Sequence, residues 1–452
     1  MNQAVVQKSA EGLPNQAELE RTVSRVLDAA KAAGASSAEA AITAEMGFCV
    51  TARMREVETV EHNRDNALGI TVYFGQRKGS ASTTDTSEAG IRSTVEAACN
   101  IAKFTAEDPY AGLAEAAELA TDVPDLDLEH PWSIDTTAAV ELALACEAAA
   151  LDYDSRITNS EGGSVSSHSG LRVYGNSNGF LGGYASSYHS ASCAVIAGDD
   201  SGMERDYWYS SARDASALED MSSIGKKAAE RTLSRLGAKQ LSTRKVPVLY
   251  AAEVASSLLG HLVSALRGSS LYRKASFMLD RVGEQVFADH IRIHEQPHLK
   301  GGLGSAPFDN EGVNTRPRDI ISEGVLQGYV LDSYSARRLD MATTGNAGGV
   351  HNLTIETGEL DAQGLLREMG TGLLVTELMG SAVNGVTGDY SRGAAGFWVE
   401  NGEIQYPVAE ITIAGHLNDM YRNMVAVGTD VDMRRSTRTG SILLEEMTVA
   451  GE

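Results

Sequence analysis

The first half of the chain alternates between helical and strand-like spacing of its apolar residues. Residues 17–34 predict an amphipathic helix, because apolar residues such as Leu19 and Val23 recur on one helical face. Short alternating runs follow, separated by turn residues such as Asp65-Asn66, and predict an antiparallel meander, which ends at a helix from about Ser87 to Phe104. The same order recurs, with a helix over about 134–151, strands over 156–160, 170–174, 180–189 and 194–197, and a helix over about 218–236.

Turn residues predict where several strands reverse. The pair Asn178-Gly179 predicts a type I′ hairpin turn, in which both central residues have positive φ. Hairpins are also predicted around Gly324 and at Asn401-Gly402. After one helix that follows Val246, the second half therefore reads as mainly strand, with a short helix added over 365–369.

These patterns together predict an α+β fold. We expect an α+β N-terminal domain over 17–240, built from two similar helix–meander–helix units at about 17–106 and 134–236. Residues 241–452 are expected to form a mainly antiparallel β domain. A chain of 452 residues is too long for a single hydrophobic core, which is consistent with two domains.

Charge limits the classes of partner. The chain has 61 acidic and 38 basic residues, a formal net charge of -23, and the resulting field repels phosphate backbones and anionic lipids. No apolar run approaches the roughly 18 residues of a membrane span, and residues 1–11 lack the apolar stretch of a signal peptide. We therefore expect a cytoplasmic protein that binds neither nucleic acid nor membrane.

Two clusters of metal-ligand residue types are better explained without a metal. His290 and His294 lie in an alternating, strand-like run, which would place them about 13 Å apart, too far to share one ion. Asp309, Glu311 and Asp319 could hold calcium or act as an acid/base pair, but the sequence Asp-Asn-Glu-Gly is also typical of a tight turn, which we favour.

Several long runs of residues carry a resemblance that covers nearly the whole chain from about residue 17. The chain resembles the PmbA (TldE) branch of the TldD/PmbA family of zinc metallopeptidases. The runs are Ala67-Leu-Gly-Ile-Thr-Val-Tyr, Arg156-Ile-Thr-Asn-Ser-Glu-Gly-Gly, Tyr272-Arg-Lys, Phe308-Asp-Asn-Glu-Gly, Gly345-Asn-Ala-Gly-Gly and the segment from Thr387 to Ile404.

The resemblance makes one absence informative. In the TldD branch a helix carries His-Glu-x-x-x-His, with an arginine eight residues beyond the second histidine. Counting back from Arg273 places Gly260, His261 and Ala265 at the three motif positions. Glycine and alanine offer no ligand atom, and the stretch after Arg434 lacks the late cysteine that the resemblance implies as a further zinc ligand. His261 itself is expected to be a packed, hydrogen-bonded histidine, because apolar residues surround it.

Two loops are candidates for a substrate-binding surface. Glycines let a peptide backbone approach and pair with a sheet edge, largely independently of side chains. The alternative is that both loops are simply tight turns of a β domain. The candidate residues are Gly348, Gly349, His351 and Asn352 in the first loop and Asp389 and Arg392 in the second.

The resemblance implies a non-catalytic subunit of a metalloprotease that acts on unfolded peptides, in peptide-antibiotic maturation and antitoxin degradation. No cofactor is expected in this chain, and zinc is expected in a TldD-type catalytic partner. The isolated chain could also form a homodimer through its apolar β half. Two alternatives remain open: an active metallopeptidase in its own right, and a protein-binding modulator of DNA gyrase.

Overall fold

The computed structural model describes residues 12–451. The fold is α+β, as predicted, with helices packed on mainly antiparallel sheets. The expectation for residues 1–11 lies outside the described residues. The first half contains α1 (Gln16–Ala32), β1 (Ser37–Arg53), β2 (Glu56–Phe74), β3 (Arg77–Thr83), α2 (Glu88–Phe104), α3 (Thr136–Leu151), β4 (Ile157–Asn176), β5 (Leu181–Asp199), β6 (Gly202–Ala212) and α4 (Met221–Ser234).

A single six-stranded antiparallel sheet organises the first half. Its strand order is β3-β2-β1-β4-β5-β6, so the order helix, three strands, helix occurs twice and the pairing of β1 with β4 joins the two units. All four helices cover one face of the sheet. Ile42 of β1 packs in the core beneath α1 and α2, and Val50, on the same side of β1, packs in the core beneath α3 and α4.

The strands are longer than the sequence predicted. Asp65-Asn66 was expected to form a turn, yet both residues lie inside β2 and pair with Glu45 and Ala44 of β1. The ladder continues because β1 is held in place by β4 on its other side, and this tertiary pairing outweighs the local turn preference. The prediction also missed β6, which forms the sheet edge beside β5.

The hairpin at Asn178-Gly179 exists, but its turn type differs from the prediction. Gly179 has φ of 100°, whereas Asn178 is not among the residues with positive φ. Asn176 pairs with Phe180 through a backbone bond of 2.9 Å, and Gly179 N donates to Asn176 O at 3.2 Å, so three residues form the loop. A type I turn followed by a left-handed glycine explains this geometry. At Asn401-Gly402 both φ angles are positive, as a type I′ turn requires.

The second half has more helices than the one or two predicted. These short helices were missed because their apolar residues are too few to show helical periodicity. The elements are β7 (Arg244–Tyr250), α5 (Ala252–Leu266), α6 (Gly268–Tyr272), β8 (Ile293–Glu295), β9 (Arg318–Ser322), β10 (Val325–Leu326), α7 (Ser333–Arg338), β11 (Leu353–Ile355), α8 (Ala362–Met369), β12 (Gly372–Met379), β13 (Asp389–Glu400), β14 (Glu403–His416), α9 (Leu417–Arg422), β15 (Met424–Val427) and β16 (Ile442–Ala450).

Two sheets form the second half. One has four short strands in the order β10-β9-β8-β11. The other has the order β14-β13-β12-β7-β16-β15, and an additional pairing of β14 with β16 closes five of its strands into a ring. Only β7 and β12 run parallel within it. The ring packs on the apolar face of α5, where Leu258, Leu259 and Leu262 are fully buried.

The uncovered face of the first sheet contacts the second half of the chain. Phe308 packs edge-on against Phe180 and Tyr184, at centroid distances of 4.9 and 5.5 Å. Nearby, Glu39 accepts hydrogen bonds from the hydroxyls of Tyr73 and Tyr174, at 3.0 and 2.8 Å. Aromatic packing therefore fixes the sheet against the second half, whereas the hydrogen bonds to Glu39 hold β1, β2 and β4 together on this face.

Within residues 12–451, none of the helices combines the length and the apolar composition that crossing a membrane requires.

The carboxylate of Glu147 should contribute measurably to stability. It is fully buried and accepts the backbone N–H groups of Met54 and Arg55, both at 2.8 Å, at the turn between β1 and β2. Because an amide oxygen can replace only one of these acceptors, we expect Glu147→Gln to lower the free energy of unfolding by about 2 kcal/mol in urea denaturation. Glu141→Gln, an exposed change on the same helix, is the control. Equal stability of the two variants would contradict this role.

Glu311 should make stability depend on pH. Burial raises the pKa of Glu311 from 4.5 to about 7, although its carboxylate accepts the Ser333 N–H at 2.9 Å. Between these values the folded state keeps a proton that the unfolded state has released, so stability should fall as pH rises from 4.5 to 7. Glu311→Gln keeps an acceptor for Ser333 but cannot titrate. The stability of wild type relative to this variant, measured across the window, should decrease; a constant difference would exclude the effect.

Candidate functional site

Helix α5 begins directly after β7. Its N-cap is hydrogen-bonded to β12, and its apolar side packs in the core. Ala251, its N-cap, donates its backbone N–H to Val375 O of β12 at 3.0 Å. The apolar side of the helix fills the core of the ring, while a polar side carries Glu253, Ser256 and Gly260. The spacing of leucines and polar residues in the sequence therefore translates directly into one buried and one accessible side.

The three positions aligned with the zinc motif do not face a common space. Gly260 is exposed, and a Cβ built there would meet no atom within 4 Å. Ala265 is only 2% exposed and belongs to the core. Gly260 and Ala265 supply no donor atom, so these residues do not fit a zinc ion, and no step of a reaction in this chain is assigned to one.

His261 is packed between aromatic and cationic neighbours. Its ring lies edge-on to Tyr390, with a centroid distance of 5.8 Å and an angle of 79°. Burial, and secondarily the positive charge of Arg392, lowers the pKa of His261, which favours the neutral imidazole. Its Nε2 atom is buried and has no hydrogen-bond partner within the described residues. The packing that we expected is present, but the expected hydrogen bond is not.

A polar cleft of about 410 Å³ lies between the two halves of the chain, beside the first turns of α5. The first half contributes residues of β6 and α4, and the second half contributes residues of α5, β12 and β13. An adjoining cavity of about 440 Å³ shares Ser256 and Arg435 with this cleft. Arg434, Ser436 and Thr437 line this second cavity. The late stretch in which the resemblance implies a cysteine thus lies next to the helix that would carry the histidines.

We call the two cavities together the interdomain cleft. One wall is β12 beyond Val375, the last residue of β12 that pairs with β7. Thr376, Glu377 and Leu378 continue the strand along the cleft, and β13 covers their other side. An extended peptide could pair with such an uncovered strand side through main-chain hydrogen bonds.

The carboxylates of the cleft are already paired with arginines. Arg231 lies 3.4 Å from Asp206 and 2.6 Å from Glu253. Arg235 forms an ion pair with Glu377 and lies 3.5 Å from Asp206. These groups therefore form a network that crosses from the first half of the chain to the second and holds the cleft walls together.

Of the two predicted substrate-binding loops, only the second reaches the interdomain cleft. Arg392 lines it, whereas Asp389 is an exposed residue at the start of β13 that accepts a hydrogen bond from Thr387 Oγ1 at 2.6 Å. The sequence analysis missed Ser256 and Arg435. Arg435 could have been found, since it belongs to the stretch that the resemblance links to a metal ligand.

The first loop is held from inside the protein. Glu295, 1% exposed, accepts hydrogen bonds at 3.0 Å from Asn346 Nδ2 and from the backbone N–H of His351. Asn352 is fully buried, and its amide donates to Gln296 O and Ser305 Oγ, which leaves it inaccessible to a peptide.

The same loop approaches its neighbours through its glycines. Gly348 and Gly349, with φ of 106° and 126°, lie against Asn310 and Arg267. His351 Nδ1 lies 3.2 Å from Gly304 O. Close packing of the loop therefore accounts for the two glycines.

The structure also places the acidic cluster at Asp309 and the histidines His290 and His294. Asp309 accepts three backbone N–H groups, from Glu311, Val313 and Ala347, which is the tight turn that we favoured. His294 lies on β8, whereas His290 precedes the strand. No group of three or more His, Cys, Asp or Glu side chains in the described part of the chain is arranged to hold a metal ion.

Comparison with known proteins agrees with the resemblance. Three sequence profiles match, described as PmbA/TldA metallopeptidase domain 1 over 38–102, the central domain over 129–236 and the C-terminal domain over 243–451. Metalloprotease PmbA of Escherichia coli O157:H7 is 54% identical over 434 residues, and a PmbA homolog of Haemophilus influenzae is 52% identical over 437 residues. Each of these alignments covers 96% of both chains.

Solved structures share the fold. A Bacteroides thetaiotaomicron protein, described as a proposed modulator of DNA gyrase, has a TM-score of 0.91 and 29% identity, covering 96% of this chain and 99% of that one. TldE of Thermococcus kodakarensis has a TM-score of 0.81 at 19% identity, covering 95% of this chain and 100% of that one, and this likeness concerns the fold alone. The profiles and the two PmbA relatives establish that this chain belongs to the PmbA branch of the PmbA/TldD metallopeptidase family.

Proposed function

We propose that this chain is a non-catalytic subunit of a cytoplasmic TldD/TldE-type metalloprotease. In this proposal a TldD-type partner holds the zinc ion and the catalytic glutamate. The observation that carries the proposal is the absence of ligand atoms at Gly260 and Ala265, together with the burial of Ala265 in the core. A side chain large enough to hold zinc at position 265 would have to displace packed atoms.

The proposed substrates are unfolded peptides. The interdomain cleft supports this, because its β12 wall presents main-chain groups and a folded domain could not enter a cavity of about 410 Å³. Access, rather than a side-chain pocket, would then select the substrate. Maturation of peptide antibiotics and degradation of an antitoxin are the proposed processes.

Two further functions are less well supported. An active peptidase in this chain would need His261 or another group to replace the missing ligands, and a single imidazole packed against Tyr390 does not supply the three protein ligands of a catalytic zinc site. Modulation of DNA gyrase is a description given to a structural relative. The net charge of -23 disfavours direct contact with DNA but permits a protein partner.

Cleavage of an unfolded peptide should require both subunits. We expect activity from a mixture of this chain with a TldD-type chain, inhibition of that mixture by a chelator, and no activity from this chain alone. Elemental analysis of the isolated chain should find much less than one zinc per subunit. Chelator-sensitive cleavage by the isolated chain would contradict the proposal and support the active-peptidase alternative.

In the active mixture, replacement of His261 distinguishes the non-catalytic role from the active-peptidase alternative. If His261 only packs against Tyr390, His261→Ala should lower the cleavage rate by less than about tenfold. If His261 were a general base, its loss would lower the rate about 10² to 10⁴-fold. The rate should be compared at saturating peptide, with His290→Ala, an exposed histidine outside the cleft, as the control.

A further inference from the structure

Two arginines of the interdomain cleft differ from the others in their pairing. Arg231 and Arg235 contact the acidic residues of the cleft. In contrast, Arg392 and Arg435 have no carboxylate oxygen within 4.0 Å among residues 12–451. Both line the cleft of about 410 Å³. The cleft therefore contains two guanidinium groups whose positive charge is not locally balanced by an ion pair.

The surroundings of Arg392 and Arg435 limit their interactions with the protein. The Nε atom of Arg392 is buried and makes no hydrogen bond to any described residue. Arg435 donates from Nε to the hydroxyl of Tyr209 at 2.9 Å, which leaves its terminal nitrogens free of an ion pair. A buried polar group without a partner costs free energy, so an acceptor that enters the cleft would be bound favourably.

We propose that Arg392 and Arg435 bind a carboxylate group of the peptide substrate. A guanidinium has planar, paired N–H groups that match a carboxylate with two hydrogen bonds, and partial burial strengthens such contacts. The proposal rests on the proposed function, because it takes a peptide as the occupant of the cleft. It adds a chemical preference to a site that otherwise recognises main chain.

The carboxylate can come from two parts of a peptide. One source is the free C-terminus, and the other is an aspartate or glutamate side chain. A carboxylate on Arg435 would direct the rest of the peptide into the adjoining cavity of about 440 Å³, because Arg435 and Ser256 line both spaces. The chain would in this way contribute orientation of the substrate, although it supplies no zinc ligand.

Binding of labelled peptides to the isolated full-length chain tests the proposal. Four unstructured ten-residue peptides are compared by fluorescence anisotropy: one with a free C-terminus and no acidic side chain, one amidated with a central glutamate, one amidated with glutamine instead, and one with both carboxylates. We expect the peptide without a carboxylate to bind at least about tenfold more weakly than the best of the others. The first two peptides show which source is used.

Variants of Arg392 and Arg435 test whether these two arginines cause the preference for peptides with a carboxylate. Arg392→Gln and Arg435→Gln should each weaken the carboxylate peptides about tenfold or more and leave the peptide without a carboxylate unchanged. Arg392→Lys keeps the charge without the paired geometry and should fall between wild type and Arg392→Gln. Arg25→Gln, on the exposed side of α1, changes the net charge equally and is the control. Thermal melting of each variant confirms that it is folded.

The possible results distinguish a failure of carboxylate binding from a failure of the proposed non-catalytic role. Equal affinity for all four peptides, or no binding at millimolar peptide, overturns carboxylate binding, because every residue of the site belongs to this chain. Equal weakening of charged and neutral peptides by the variants overturns it as well. Neither result changes the expectation that cleavage needs a TldD-type partner. Conversely, cleavage by the isolated chain would refute the non-catalytic role while the carboxylate preference could still hold.

Discussion

Packing of α5 against the closed ring of strands is the constraint on which the rest of the site depends. Leu258, Leu259 and Leu262 are fully buried between the helix and the ring. Because this apolar side is fixed, the polar side with Glu253 and Ser256 faces the first half of the chain. The position of the helix thus decides that the interdomain cleft lies between the halves rather than within either one.

The same constraint separates the positions of the zinc motif. A helix turns about 100° per residue, so Gly260 and Ala265 point in different directions once the apolar side is buried. Gly260 is then open to solvent and Ala265 lies in the core. The helix supports a wall of the cleft, but Gly260 and Ala265 supply no ligand atom with which to hold a metal ion.

Buried and half-buried carboxylates fix the geometry of the first sheet and of the loop before β11. Glu147 accepts two backbone N–H groups at one end of β1, and Glu39 accepts two tyrosine hydroxyls near the other. Glu295 secures the loop before β11 in a similar way. Each carboxylate keeps hydrogen-bond partners that compensate for its removal from water, which makes these contacts specific to one arrangement of the chain.

The sequence by itself determined the family, the α+β class, the positions of the long helices and the absence of ligand atoms at Gly260 and Ala265. These properties depend on local periodicity and on residue identity, which are present in the letters. Only the tertiary structure decided that β2 continues through Asp65, that Asn352 is buried, and that Arg392 and Arg435 share a cleft. Such features result from contacts between residues far apart in the chain, and local sequence preferences carry no information about which distant residues will meet.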